Sequence, residues 1–119
     1  MSLSIAAITL DCHDAKNVAD FWSAAFGLPL DPEPAPSEFF ASIGRSDPDA
    51  GVTMMFINVP ESKTIKNRVH LDLQADDRAA EVDRLVGLGA THVHDKDEWG
   101  VRWTTLLDPE GNEFCVATH

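Results

Sequence analysis

Apolar and polar residues alternate along residues 4–12, Ser-Ile-Ala-Ala-Ile-Thr-Leu-Asp-Cys, with Ile8, Leu10 and Cys12 on one face and Ala7, Thr9 and Asp11 on the other. That period of two predicts a strand. The period then lengthens. Val18, Phe21, Trp22 and Ala25 recur at helical spacing, forming one apolar stripe. Asp14 stands where an N-cap carboxylate accepts from the free amides of a first turn. Gly27 suits the left-handed position after a last turn, and Pro29 forbids continuation. The prolines and acids of residues 29–36 read as an extended edge or loop. Residues 38–43 and 52–59 read as strands, separated by a turn cluster at 44–51 that is rich in Asp, Pro and Gly.

The second half repeats this order. Over residues 67–73, Val69, Leu71 and Leu73 are apolar while His70 and Asp72 are polar, which predicts a strand. Asp76 or Asp77 caps a helix with the stripe Ala79, Val82, Leu85 and Val86, ending at Gly89. Residues 91–94 and 101–107 are strand-like and flank an acidic loop, Asp95-Lys96-Asp97-Glu98, that runs into Trp99 and Gly100. That tryptophan reads as a flap over a cavity or as an interface residue. Pro109-Glu110-Gly111-Asn112 has the residues of a tight turn, and residues 113–118 form the returning strand.

Ile8-Thr9-Leu10-Asp11 aligns with Val69-His70-Leu71-Asp72, and the helix-ending Gly27 aligns with Gly89 at nearly the same offset. The chain is therefore an internal duplication of a strand–helix–three-strand module. The expected fold class is α+β. Two βαβββ modules, residues 1–62 and 63–119 of a single domain, contribute one helix each and a curved mixed sheet that forms a cup.

Bulk properties narrow the partners. A chain of 119 residues buries about two-thirds of the surface its unfolded form exposes, enough for one domain. A net charge of -11 argues against duplex DNA or an anionic membrane, since phosphate binding needs a basic face. No apolar run approaches the ~18 residues that span a bilayer, and no secretory signal is visible. Cys12 and Cys115 form neither a metal motif nor a disulfide framework, which makes a reduced, cytoplasmic setting the default.

Candidate chemistry gathers near the module junction. Lys63, Lys66 and Arg68 supply three of the nine basic residues, and His70 and Asp72 follow on one strand face. A carboxylate beside an imidazole orients it and raises its basicity, which suits His70 to proton transfer. Lys63, Lys66 and Arg68 either clamp an anionic group or neutralise Asp11, Asp72 and nearby carboxylates. Glu113 is the acid–base candidate of the last strand and shares a face with Cys115, a small buried residue on this reading. Trp103 and Thr105 share another strand face. His92 and His94 alternate like strand neighbours and lack a third ligand within sequence reach.

The duplicated module, the run from Asp14 to Phe21-Trp22, Leu-Gly-Ala-Thr at 88–91 and Asp-Pro-Glu-Gly-Asn at 108–112 together resemble the vicinal oxygen chelate superfamily. That superfamily holds glyoxalase I, extradiol dioxygenases and bleomycin-resistance proteins. Residues 59–73 and 112–116 look like its glyoxalase-like branch. The resemblance implies a cup with Trp103 and Thr105 inside, paired chains sharing clefts as a homodimer, and a metal held by four residues in the enzymes. Those ligands come from the first and last strands of each module. The first falls at Ala7 by family spacing or Thr9 by the repeat, the second at Met54, Met55 or Phe56, and the fourth at Cys115. His70 alone matches its ligand position, so no cofactor is assigned and metal-dependent glyoxalase chemistry is not expected.

Two functions follow. The first is a small organic molecule bound in the cup without the usual metal set, by Lys66, Arg68, Asp72, Trp103, Thr105 and Cys115. The second is a lyase or isomerase acting on a small oxygenated metabolite, with His70 and Glu113 transferring protons, Lys66 or Arg68 holding an anionic group, and the reaction running with or without a divalent metal's assistance.

Overall fold

The computed structural model describes residues 2–118, which divide into two compact units, residues 2–62 and 63–118. In the first unit, β1 (Ile8–Cys12) leads into α1 (Ala15–Phe26), followed by β2 (Phe40–Ile43) and β3 (Met54–Asn58). The sheet order is β1-β3-β2, with β1 parallel and β2 antiparallel to β3. Asp14 caps α1 by accepting from the Asn17 amide, and Gly27 closes it in the left-handed conformation with φ 68°. Val18, Phe21 and Trp22 are buried as the stripe predicted, and Trp22 meets Phe21 edge-on and stacks on Phe26. Each such side chain, once buried, contributes roughly 1.5–3 kcal/mol.

The second unit follows the same plan with one more strand. β4 (Leu71–Gln74) precedes α2 (Arg78–Leu88), then β5 (Thr91–Glu98), β6 (Val101–Leu107) and β7 (Glu113–Ala117). The order is β4-β7-β6-β5, so in each unit the first strand runs parallel beside the last. Asp77, rather than Asp76, caps α2 by accepting from the Ala80 amide, and Gly89 ends it. Val82 and Leu85 form its buried stripe, while Val86 is exposed. Among the described residues, no helix is long and apolar enough to cross a membrane.

The expected and observed elements differ in four places, each with a local cause. In the first unit, the strand that should follow the helix is reduced to one antiparallel bridge, Leu30 to Ile43. Prolines at 29, 32, 34 and 36 remove the donors a longer ladder needs. β1 begins at Ile8 rather than residue 4, leaving Leu3 and Ile5 exposed. β4 begins at Leu71 rather than residue 67, because the Asn67 amide donates to the Glu113 side chain, and Val69 is exposed instead of apolar core.

The fourth difference is the acidic loop, which is strand. β5 pairs with β6 as far as Glu98 opposite Val101, leaving Trp99 and Gly100 as a two-residue hairpin loop. Both have positive φ, 54° and 75°, the signature of a type I′ turn. A tryptophan there is a rare occupant, since the left-handed region is costly for a bulky side chain. For that reason the sequence does not announce the turn.

Candidate functional site

The site is on one face of the four-stranded sheet, and the helix identifies which face. Arg78, the first residue of α2, donates to the Thr104 hydroxyl, and Thr104 donates to Asp95 Oδ1 at 2.6 Å. His92 lies 3.3 Å from the same oxygen. The hydrogen bonds from Thr104 and His92 hold the Asp95 carboxyl below its usual range. Thr104 and Asp95 therefore mark the helix side. Side chains alternate along strands, so Trp103 and Thr105 on β6 and Glu113 and Cys115 on β7 face the other way.

Register completes that opposite face. β4 runs parallel to β7 with Asp72 opposite Cys115, and β6 pairs antiparallel with Thr105 opposite Cys115. His70 Nε2 lies 3.6 Å from Asp72 Oδ1. Cys115 Sγ lies 3.3 Å from Thr105 Oγ1, both residues buried. One donor atom each from His70, Asp72 and Cys115 falls within 4.8 Å of the others. Further along the same face, Trp103 stacks against Trp99 from the hairpin, with ring centroids 5.9 Å apart and an interplanar angle of 11°. Trp99 is 87% exposed, so this ring pair stands open to solvent.

Glu113, the proton-transfer candidate of the last strand, has both carboxylate oxygens engaged. Its Oε1 accepts from Lys63 Nζ at 2.8 Å and its Oε2 from the Asn67 amide at 2.8 Å. Lys63 also donates to the Ile65 carbonyl. Desolvation raises the Glu113 pKa, but the bonds from Lys63 and Asn67 outweigh it and hold the carboxyl below its ordinary value. A carboxylate so held keeps its charge and anchors residues 63–67 to β7. Glu113→Gln should therefore lower stability by about 1–2 kcal/mol in urea denaturation, because the pair is only partly exposed and a charge-assisted bond is lost. A loss under about 0.5 kcal/mol, the size of a surface pair, would remove that anchoring role.

Lys66 and Arg68 are exposed, and among the described residues neither forms an ion pair. Of the three basic residues Lys63 takes a neutralising position, against Glu113. The Asp108 carboxylate, buried in the Asp-Pro-Glu-Gly-Asn turn, accepts from the Glu110 and Asn112 amides and the Asn112 side chain, so that motif builds a turn. The structure also separates the two histidines that the sequence left without a third ligand. A register shift between His92 and His94 sets His92 opposite Leu106 and His94 opposite Thr105. The two histidines thus lie on opposite faces, and His94 joins the row Asp72–Cys115–Thr105. A bulge leaves no mark in the alternation of polar residues, so the sequence carried no signal for it.

The sequence profile of the glyoxalase-like domain matches residues 7–117. The chain belongs to the glyoxalase-like family. With it the chain joins the vicinal oxygen chelate superfamily, as solved structures of the same fold agree. Fosfomycin resistance protein FosX from Listeria monocytogenes is 13% identical, with a TM-score of 0.76 over 100% of this chain and 95% of that one. A hypothetical protein, SA1046 from S. aureus, is 16% identical, with a TM-score of 0.71 over 100% of both chains. A glyoxalase/bleomycin resistance protein/dioxygenase family enzyme from Burkholderia phytofirmans PsJN is 19% identical, with a TM-score of 0.70 over 98% of both. At these identities the likeness is one of fold. Among curated proteins, none matches.

This glyoxalase-like chain does not fit the four-ligand metal set its family implies. In the first unit Thr9 pairs with Met55, and Ile8 with Met54, so the strand positions that should supply ligands offer a hydroxyl and thioethers. Thioethers select soft ions such as Cu(I), and zinc or manganese sites draw on imidazole, thiolate and carboxylate. At the corresponding strand positions only the second unit supplies those types.

Proposed function

We propose that this glyoxalase-like protein binds a small organic molecule carrying a planar ring on the face of the second sheet that α2 leaves free. The Trp99–Trp103 stack carries this reading, because an exposed ring pair beside a row of polar groups offers one apolar and one hydrogen-bonding end. Thr105, Asp72 and His70 supply that polar end, and Cys115 lies between them. Lys66 and Arg68 are exposed cations on the approach to β4, suited to an anionic substituent. The reading keeps the homodimer expected from the resemblance. The lyase or isomerase reading pairs His70 with Glu113, and the Glu113 carboxylate is already engaged by Lys63 and the Asn67 amide. Binding therefore stands ahead of catalysis.

The names of the structural neighbours supply two contrasting probes. Bleomycin carries planar rings, whereas fosfomycin is small, anionic and without them. Titration followed by tryptophan fluorescence should show quenching by bleomycin and none by fosfomycin. Trp99→Asn removes the outer ring and leaves Asn-Gly, the favoured type I′ pair, so the hairpin should persist. This variant should bind bleomycin about tenfold more weakly, matching ~1.4 kcal/mol of stacking. Equal binding by the variant would rule out the ring pair as the platform.

A further inference from the structure

We infer that the β5–β6 hairpin is a two-register switch, in which moving the outer half of β5 by one residue along β6 withdraws Trp99 from Trp103. The two registers are a property of the free chain. Only their use, to present or withhold a ring platform, rests on the ligand-binding reading.

The bulge is the hinge. His92 pairs with Leu106 and His94 with Thr105, so Val93 is an extra residue without a partner on β6. It is exposed, as is every residue of β5, and no buried side chain pins it. Register is weakly specified in a strand that lacks a buried face. With Val93 paired to Thr105, the inner pair His92–Leu106 is kept and each later residue moves by one. His94 then meets Thr104, Asp95 meets Trp103, Lys96 meets Arg102 and Asp97 meets Val101.

The turn gains from this move. In the structure Glu98 pairs with Val101, and the two-residue loop holds Trp99 at φ 54°. The shifted register has a three-residue loop, Glu98-Trp99-Gly100. Such loops put their last residue in the left-handed region, where Gly100 already stands with φ 75°. Trp99 leaves a conformation that is costly for a bulky side chain and moves to the middle of the loop. Trp103 receives Asp95 as its cross-strand neighbour in place of Lys96.

Polar groups on the helix side hold the observed register. Asp95 Oδ1 accepts from Thr104 Oγ1 at 2.6 Å and lies 3.3 Å from His92 Nε2 and 3.6 Å from Arg78 Nη1. Residues three apart point to opposite faces of a regular strand, and the extra Val93 turns His92 and Asp95 to one side. Their contact therefore exists only while the bulge does. Shifting exchanges these bonds for relief of the turn, and sets Lys96 against Arg102, a like-charge pair. A ring ligand that stacks on both tryptophans binds the bulged register alone and draws the population toward it.

The test traps each register with a disulfide. Asp97→Cys with Arg102→Cys joins partners of the observed register, and Lys96→Cys with Arg102→Cys joins those of the shifted one. All three positions are exposed, and the native Cys12 and Cys115 are buried. Glutathione disulfide should close both pairs. The closed 97–102 chain should keep the exciton couplet of stacked tryptophans in circular dichroism, and the closed 96–102 chain should lose it. Asp95→Ala removes the lock and should speed 96–102 closure about tenfold without speeding 97–102, whereas simple fraying would speed both. Trp99→Asn, at ease in the two-residue turn, should slow 96–102 closure. The switch is overturned if only the 97–102 pair closes, if the couplet survives in both closed chains, or if Asp95→Ala speeds both pairs alike. Bleomycin then tests the use of the switch on the same chains. Slower 96–102 closure supports gating, and unchanged closure in a chain whose fluorescence it quenches overturns it. Absent quenching counts against the ligand-binding reading and leaves the registers as trapped.

Discussion

Asp31→Ala should destabilise the protein by about 3 kcal/mol or more, lowering the melting temperature by roughly 10 °C or more in a circular-dichroism melt. Asp31 is 1% exposed and its carboxylate accepts four hydrogen bonds, from the Ser42 and Ser46 hydroxyls and the Arg45 and Ser46 amides. Its own amide donates to the Ser42 carbonyl at 2.8 Å, so one residue ties the proline-rich segment to β2 and to the loop beyond it. Truncation leaves several donors in poor contact with water, each costing about 1–3 kcal/mol. A loss below about 1 kcal/mol would mean that water replaces the carboxylate freely.

The same residue sets an acid limit. Burial raises the Asp31 pKa, but the bonds from Ser42, Ser46 and Arg45 outweigh it, leaving the folded value below the ordinary 3.8. A depressed carboxylate contributes stability that is complete above its unfolded pKa and is lost as pH falls through the folded one. Asp31→Ala should therefore narrow its gap to the parent protein below pH 3.8, and leave that gap flat above it.

Gly44→Ala should be at least as damaging, costing more than about 3 kcal/mol, because two penalties coincide. Gly44 has φ 85°, and a Cβ there would lie 2.0 Å from the Val52 carbonyl oxygen, 3.1 Å from its carbon and 3.2 Å from Thr53 Cα. All three are backbone atoms, so no rotamer relieves the overlap. The loop between β2 and β3 would have to move, and with it the Arg45 and Ser46 amides that Asp31 holds. Gly27→Ala is the matched control, with φ 68° and nothing within 4 Å of its Cβ. It should cost only about 1–2 kcal/mol, the left-handed strain alone. Equal melting temperatures for the two variants would show that the Val52 contact relaxes.

What the sequence made legible was local. Asp14 and Gly27 bracket α1 as their chemistry requires, and β6 has the predicted limits because Val101 to Leu107 are rich in β-branched and aromatic residues. Trp103 with Thr105, and Glu113 with Cys115, share faces by the same period of two. What stayed hidden depends on pairings distant along the chain. Asp72 meets Cys115 only through the parallel register of β4 and β7, and Glu113 is claimed by Lys63 from the module junction. Asp31 sits among prolines in a stretch that reads only as an extended edge or loop, and its burial rests on donors from 42–46. The repeat itself disguised the difference between its copies, since strand identity survives in the alignment while strand length does not.

The long β5 has a consequence for behaviour in concentrated solution. It is the last strand of its sheet, eight residues long and exposed throughout, so one side of its ladder offers donors and acceptors to any passing strand. Such an edge normally invites polymerisation. Here the outer half carries Asp95, Lys96, Asp97 and Glu98, and the irregularity between His92 and His94 breaks the ladder behind it. An incoming copy would bring like charges into opposition and lose register at the bulge. The acidity of the chain, which argues against duplex DNA as a partner, thus also keeps this strand from templating a fibre.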